Sequence, residues 1–298
     1  MKIIGWLRNT PALIARRGRY RREMISRLCN GLPKKKMAFL TVDLEFFGHP
    51  EKTKGAFLDG LDNFLDAVER KNIPVVFFVE GRFALENRDV VAGLSDNGHE
   101  VASHGYDHIN LGPAIWWNKL QPNTIQARRR SISKNHELLK RITHKRPTSF
   151  RAPYFSIDAT TLKILEGNGY RVDSSLNNCL FGLPSVPYHP SYGDILSVGD
   201  SKILELCCTT STKSGIKSRF IFEKIRFFGR DDLQKNISIT KMSSALSPYT
   251  IIGAHQWEFS DKLYDNAYER LEVLSDLLTF MKKTMNVKFA TMDSILDS

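Results

Sequence analysis

Two hydrophobic periods alternate along this chain. Short apolar runs of strand character lie at 37–46, 74–79, 100–103, 149–154, 171–176, 203–207, 250–257 and 287–291. Between them, apolar residues recur at helical spacing. In 56–70 the stripe is Phe57, Leu58, Leu61, Phe64, Leu65 and Val68. In 124–143 it is Ile125, Ile132, Leu138, Leu139 and Ile142. Further helices are predicted at 89–96, ending at Asn97-Gly98, at 158–166, capped by Asp158 and ending at Asn168-Gly169, and at 267–281. Residues 182–200 are rich in Pro, Gly and Ser and read as an irregular loop. Residues 211–248 offer turn residues and a weak helical segment without a definite element. Seven or so β-α units in about 260 residues predict one α/β domain over 37–298, a (β/α) barrel.

Composition is that of a globular protein, 42% apolar and 25% charged. No apolar run reaches the length of a membrane-spanning helix, and no signal-peptide core is recognised near the N-terminus. The net charge of +11 changes the picture more. Residues 1–36 hold eleven Lys/Arg and one Glu, so ten of those charges belong to a leader. The body is nearly neutral, which argues against a nucleic-acid surface. Thr10-Pro11 resembles a helix start, and Leu13, Ile14, Tyr20, Met24, Ile25 and Leu28 follow among arginines. Such a helix suits an anionic membrane surface, and equally describes a solvated arm. Cys29, Cys179, Cys207 and Cys208 form no C-x-x-C pair and read as thiols of a reducing compartment. A cytoplasmic protein, peripheral at the membrane if the leader binds there, is the expectation.

The chemistry gathers at strand ends, where such barrels carry their sites. Asp43 and Glu45 end the first strand, two positions apart and so on one face. Two carboxylates on one buried face are costly unless a positive charge sits against them. His104 and His108 follow the third strand, at a spacing that brings both rings together in a helical turn. Glu45, His104 and His108 make a two-histidine, one-carboxylate set with open coordination positions, which leaves Asp43 free as a base. Arg151 ends another strand and can pair with Asp43. Asp173 ends the next. His255 is suited to protonate a leaving amine, and Tyr154 and Trp257 are either core aromatics or the lining of a sugar site.

These motifs resemble, in order, those of the polysaccharide deacetylase family (the NodB-like carbohydrate esterase family 4), over about residues 38–293. Thr41-Val42-Asp43-Leu44-Glu45 is similar to the first motif, His104-Gly105-Tyr106-Asp107-His108 to the second, Arg151-Ala152-Pro153-Tyr154 to the third and His255 to the last. Asp173 falls near the fourth, without the Trp usual there. Leu44 separates the two carboxylates, as in a divergent branch that includes cyclic-amide and ureide hydrolases. The resemblance implies a distorted barrel of about seven strands and hydrolysis of an N-acetyl group on an amino sugar, free in a polysaccharide or lipid-linked. It implies Asp43 as base, Arg151 orienting it, Glu45, His104 and His108 as metal ligands, the Tyr154 N–H at the oxyanion, and His255 as acid. Zinc is the first expectation for the metal, with cobalt, nickel, manganese or iron as alternatives. An amidohydrolase of small cyclic amides or ureides and a non-catalytic sugar-binding protein are the competing readings.

Overall fold

A computed structural model describes residues 36–46, 50–112, 122–176, 187–214 and 220–297. Residues 1–35 of the leader, Cys29 among them, and Cys179 lie outside the described residues. Strands β1 (Met37–Leu44), β2 (Val75–Val79), β3 (Glu100–Ser103), β4 (Ser149–Phe150) and β5 (Val172–Asp173) form a parallel ladder in chain order. Among them run helices α1 (Pro50–Glu69), α2 (Gly81–Glu86), α3 (Arg88–Asp96), α4 (Ile125–Thr143) and α5 (Ala159–Gly167). A small hairpin follows, β6 (Pro190–Ser191) and β7 (Asp194–Val198). Then β8 (Leu204–Glu205) extends the main sheet beside β5. A second hairpin, β9 (Thr210–Ser214) and β10 (Phe220–Lys224), leads into α6 (Asp231–Leu246). Finally β11 (Tyr249–His255) pairs with β1, and α7 (Ala267–Lys283) and β12 (Lys288–Phe289) complete the chain.

The main sheet therefore runs β11-β1-β2-β3-β4-β5-β8, with β12 against the start of β1. Its two edges meet just beyond β8. The Thr209 N–H donates to the Ile251 carbonyl at 3.2 Å, and the Ile251 N–H donates to Thr209 Oγ1 at 2.9 Å. The expected distorted barrel of about seven strands is present.

Period-two alternation sorts its residues. Along β1, Ala38, Leu40, Val42 and Leu44 face the helices, where they pack with Phe57, Leu61 and Phe64 of α1 and Leu274 and Leu278 of α7. Phe39 faces inward, into a cluster with Val76, Phe78, Ala102, Val172, Leu206 and Ile251. Following the inward parity upward gives Phe39, Thr41, Asp43 on β1, Tyr249, Ile251, Gly253, His255 on β11, and Ala102, His104 on and after β3. The barrel interior is thus mainly apolar at its base, Glu100 apart, and polar at the C-terminal mouth.

Four sequence readings shift. The helix read at 56–70 begins at Pro50, with proline at its first position. The strand read at 149–154 stops at Phe150 and turns into a short 3-10 segment, Pro153–Phe155. Part of the loop read at 182–200 is the β6–β7 hairpin, and 211–248 holds the second hairpin and a 16-residue helix.

Candidate active site

Glu45 lies one residue past the end of β1, buried, with its carboxylate between two imidazoles. Glu45 Oε2 is 3.0 Å from His104 Nε2 and 2.7 Å from His108 Nε2. These three donors lie within 4.8 Å of one another. The histidines are not on a helical turn, as their spacing suggested. His104 continues β3, and the chain then reverses through Gly105 (φ 75°) and His108 (φ 50°), both left-handed, which brings the rings to 5.3 Å. Gly105 reaches that region without a Cβ penalty.

The hydrogen bonding of His104 speaks for a cation. Its Nδ1 lies 2.9 Å from the Arg151 carbonyl, an acceptor only, so Nδ1 carries the proton. In the neutral ring Nε2 then presents a lone pair to the Glu45 carboxylate. Two acceptors at 3.0 Å require a proton or a metal ion shared between them. Burial opposes charge on both groups, yet the His104 and His108 bonds hold the Glu45 carboxyl well below its usual range, and Glu45 holds His104 above its own. An Nδ1–H on a backbone carbonyl is also the usual outer support of a metal-binding histidine. The donor set therefore fits a divalent metal, with histidine nitrogens and a carboxylate suiting zinc and its neighbours.

Asp43 points into the same mouth. The fully buried Arg151 donates from Nη1 to Asp43 Oδ1 at 2.7 Å and to Thr41 Oγ1 at 3.0 Å. Its Nε donates to the Ser174 carbonyl at 3.2 Å, and Nη2 to Ser174 Oγ at 3.1 Å. The guanidinium plane rests on Phe78, 4.2 Å from the ring centre. Every edge of the cation is engaged, so Asp43 is held in one place by a rigid partner. Removing either member would leave a buried charge alone, at a cost of about 3–5 kcal/mol.

His255, at the end of β11 and in register with Asp43, closes the other side. Its Nδ1 is 3.1 Å from Glu258 Oε1, and its Nε2 is 3.7 Å from Glu45 Oε1. Burial works against a charged ring, but Glu258, with Glu45 and Asp43 beyond, keeps it protonated above its ordinary pH. Trp257 stacks on His255, rings 4.6 Å apart. Tyr154 sits at the rim with its backbone in the left-handed region (φ 59°) and its ring edge-on to His108 at 4.6 Å.

Asp173 is placed elsewhere. It is one position out of step with Ser174, the residue that reaches Arg151, and stands across from Glu205 on the other face of the sheet. Two carboxyls directly opposed cannot both ionise in a buried site. Burial pushes Asp173 up to about 6 and Glu205 well above the carboxylate range, so the pair retains a proton. Asp173 Oδ1 accepts from Ser175 Oγ at 2.5 Å, and Ser175 Oγ accepts the Ala152 N–H at 2.8 Å. Asp173 thus braces the loop that holds Arg151. Four participants had no weight in the sequence reading: Thr41, Ser174, Glu205 and Glu258. Only Glu258, three residues after His255, had a local signal.

Residues 31–172 match the family profile described as polysaccharide deacetylase. The peptidoglycan deacetylase of Helicobacter pylori is 24% identical over 256 residues, covering 80% of this chain and 83% of that protein. Other curated relatives are matched over less than half of their own length. Among solved structures, a putative polysaccharide deacetylase from Mycobacterium smegmatis superposes with TM-score 0.66 at 18% identity, over 90% of this chain and 91% of that one. A carbohydrate esterase family 4 pseudoenzyme from Bacillus anthracis superposes with TM-score 0.52 at 17% identity, over 90% of this chain and 67% of that one. The fold alone therefore does not guarantee turnover.

Proposed function

We propose, from the match of residues 31–172 to the polysaccharide deacetylase profile, that this chain is a metal-dependent hydrolase removing the N-acetyl group from an amino sugar of a polysaccharide or lipid-linked glycan. The observation that carries the reading is the Glu45 carboxylate between two histidine Nε2 atoms, with a separately clamped carboxylate, Asp43, beside it.

Glu45, His104 and His108 would hold the metal, which supplies a Lewis acid for the acetamide carbonyl and makes a water acidic enough to attack at neutral pH. Asp43, fixed in place by its ion pair with Arg151, takes the proton from the attacking water. The Tyr154 N–H donates to the oxygen that gains charge as the carbonyl becomes tetrahedral. His255 gives its proton to the departing amine, and Glu258 holds the ring in the orientation and charge state for that step. Asp173 takes part indirectly, through Ser175 and the Arg151 loop. Trp257 lines the mouth on the His255 side and offers a face to a sugar ring.

No helix of the described residues is long and apolar enough to cross a membrane. The charge of the leader supports contact with an anionic membrane surface, with the barrel domain of 37–298 at its cytoplasmic side. The direct test is acetate release by the zinc-loaded protein from N-acetylglucosamine oligomers and from lipid-linked N-acetylamino sugars. Acetate from either class supports the reading. Turnover of cyclic ureides with no acetate from any sugar would replace it with the small-amide alternative.

A further inference from the structure

Asp43 and Glu45 are anchored very differently by the sheet. Asp43 is in register with His255 on one side and Phe78 on the other. Leu44 is the last residue of the β1 ladder, in register with Val79. Glu45 lies beyond it, because Leu44 sets the two carboxylates a full strand period apart. A metal ligand outside the ladder has no sheet hydrogen bonds to fix its backbone, yet its carboxylate must meet two imidazoles.

The peptide unit that joins Glu45 to Phe46 is held at both ends by side chains. Its carbonyl accepts Gln256 Nε2–H at 2.7 Å, and its N–H donates to Glu80 Oε2 at 3.1 Å. Glu80 comes from the end of β2 and Gln256 from the end of β11, so the two strands flanking β1 each send one side chain where their ladders have run out. Both residues are fully buried. Glu80 is itself fixed. Its N–H donates to the Leu44 carbonyl at 2.9 Å, and its Oε1 accepts Arg82 Nε–H at 2.8 Å. Gly81 behind it admits no side chain, since a Cβ there would meet the Tyr106 ring at 2.4 Å. The Phe46 ring is wedged between Phe57 and Phe83, at 5.7 and 5.4 Å. A buried carboxylate with no part in the proposed chemistry is costly to keep unless it does something there.

We propose that Glu80 and Gln256 are positioning residues for the metal ligand Glu45, replacing the missing strand ladder by clamping the peptide that follows it. The inference rests on the metal-site reading above and concerns how tightly the site holds its ion. Loss of the clamp lets the Glu45 peptide rotate and the carboxylate wander from the two Nε2 atoms. Outer-shell partners of this kind alter metal affinity about 10–100-fold.

The test is the zinc dissociation constant of the full chain, by competition with a chromophoric chelator, alongside circular dichroism for folding. Glu80→Leu and Gln256→Leu are each expected to weaken zinc about 10–100-fold. Glu80→Gln, which retains an acceptor for the Phe46 N–H, is expected to stay within about threefold of wild type, and Arg82→Gln likewise. The double Leu variant is expected to lose less than the product of the single effects, because both bonds fix one peptide. Should Glu80→Leu not fold, Gln256→Leu, which removes no charge, decides alone. Unchanged zinc affinity in a folded Gln256→Leu protein overturns the inference. So does an equal loss in Glu80→Gln and Glu80→Leu, which would assign the effect to charge. A wild-type protein that binds no zinc removes the metal reading itself.

Discussion

At the scale of single residues, each group proposed as reactive is held in place by a partner of its own. Asp43 has Arg151, His104 has the Arg151 carbonyl, and His255 has Glu258. The Glu258 pairing gives a separable prediction, since Glu258 touches His255, the proposed acid, and none of Glu45, His104 and His108. Glu258→Leu is expected to bind zinc as wild type does and to lose kcat about 100-fold or more, as an unsupported acid drifts in tautomer and charge. Steady-state kinetics beside metal analysis checks this, and an unchanged kcat would remove His255 from the acid role. The residues proposed as reactive stand out in the sequence because they occupy inward positions at strand ends: Asp43, His255 and His104 follow from parity and polarity alone. Asp173 shows the limit. It is a strand-end carboxylate of the wrong parity, and counting from Val172 would have turned it to the outer face. Glu80, Gln256 and Ser174 were not legible, because their partners lie up to 211 positions away and no local pattern marks such a bond.

At the scale of elements, the loops above the barrel are tied to helix starts. Asp158 caps α5 through Oδ1, accepting the Thr161 N–H at 2.8 Å, while its Oδ2 accepts Arg128 Nη1–H at 2.8 Å. The same Arg128, buried on α4, also donates to the Leu111 and Asn123 carbonyls at 2.9 and 2.8 Å. One carboxylate therefore joins α5, α4 and the chain that follows His108. Asp158→Ala is expected to cost about 2 kcal/mol, the cap plus part of a half-exposed ion pair whose arginine keeps other acceptors. Asp158→Asn preserves the cap and should cost about half as much. Urea midpoints measure both. The cap was readable from sequence because capping is local. The hairpin and helix within 211–248 were not, since α6 turns to the core on residues such as Ile239 and Asn236 amid serines, threonines and lysines that blur its stripe. Asn236 instead exchanges hydrogen bonds with the Arg226 backbone, a contact no periodicity announces.

At the scale of the whole molecule, the barrel is polar at its mouth and plugged at its base. Glu100 faces inward at the base, where its Oε2 accepts the Met292 and Asp293 N–H groups at 2.6 and 3.1 Å. Burial, with the charge of Asp293 beside it, pushes its carboxyl up to about 7. A folded-state value above the ordinary 4.5 means that the stabilisation is complete below about pH 4.5 and is lost as pH rises through about 7. Glu100→Gln keeps an acceptor for both N–H groups and cannot ionise. It is expected to fall less in stability than wild type between pH 5 and 8, by up to about 3 kcal/mol, in denaturant unfolding. The Asp173–Glu205 pair supplies a slope of the same sign that this variant leaves in place. The alternation of strands and helices made the barrel readable. Its closure at Thr209 and Ile251 was not, because that seam is two hydrogen bonds rather than a strand. Asp43→Asn tests most directly the proposed division of labour at the mouth. Zinc content and acetate release from N-acetylglucosamine oligomers are measured on the same sample. The account predicts wild-type zinc with kcat lowered about 1,000-fold or more. An Asp43→Asn protein that releases acetate at the wild-type rate would contradict it.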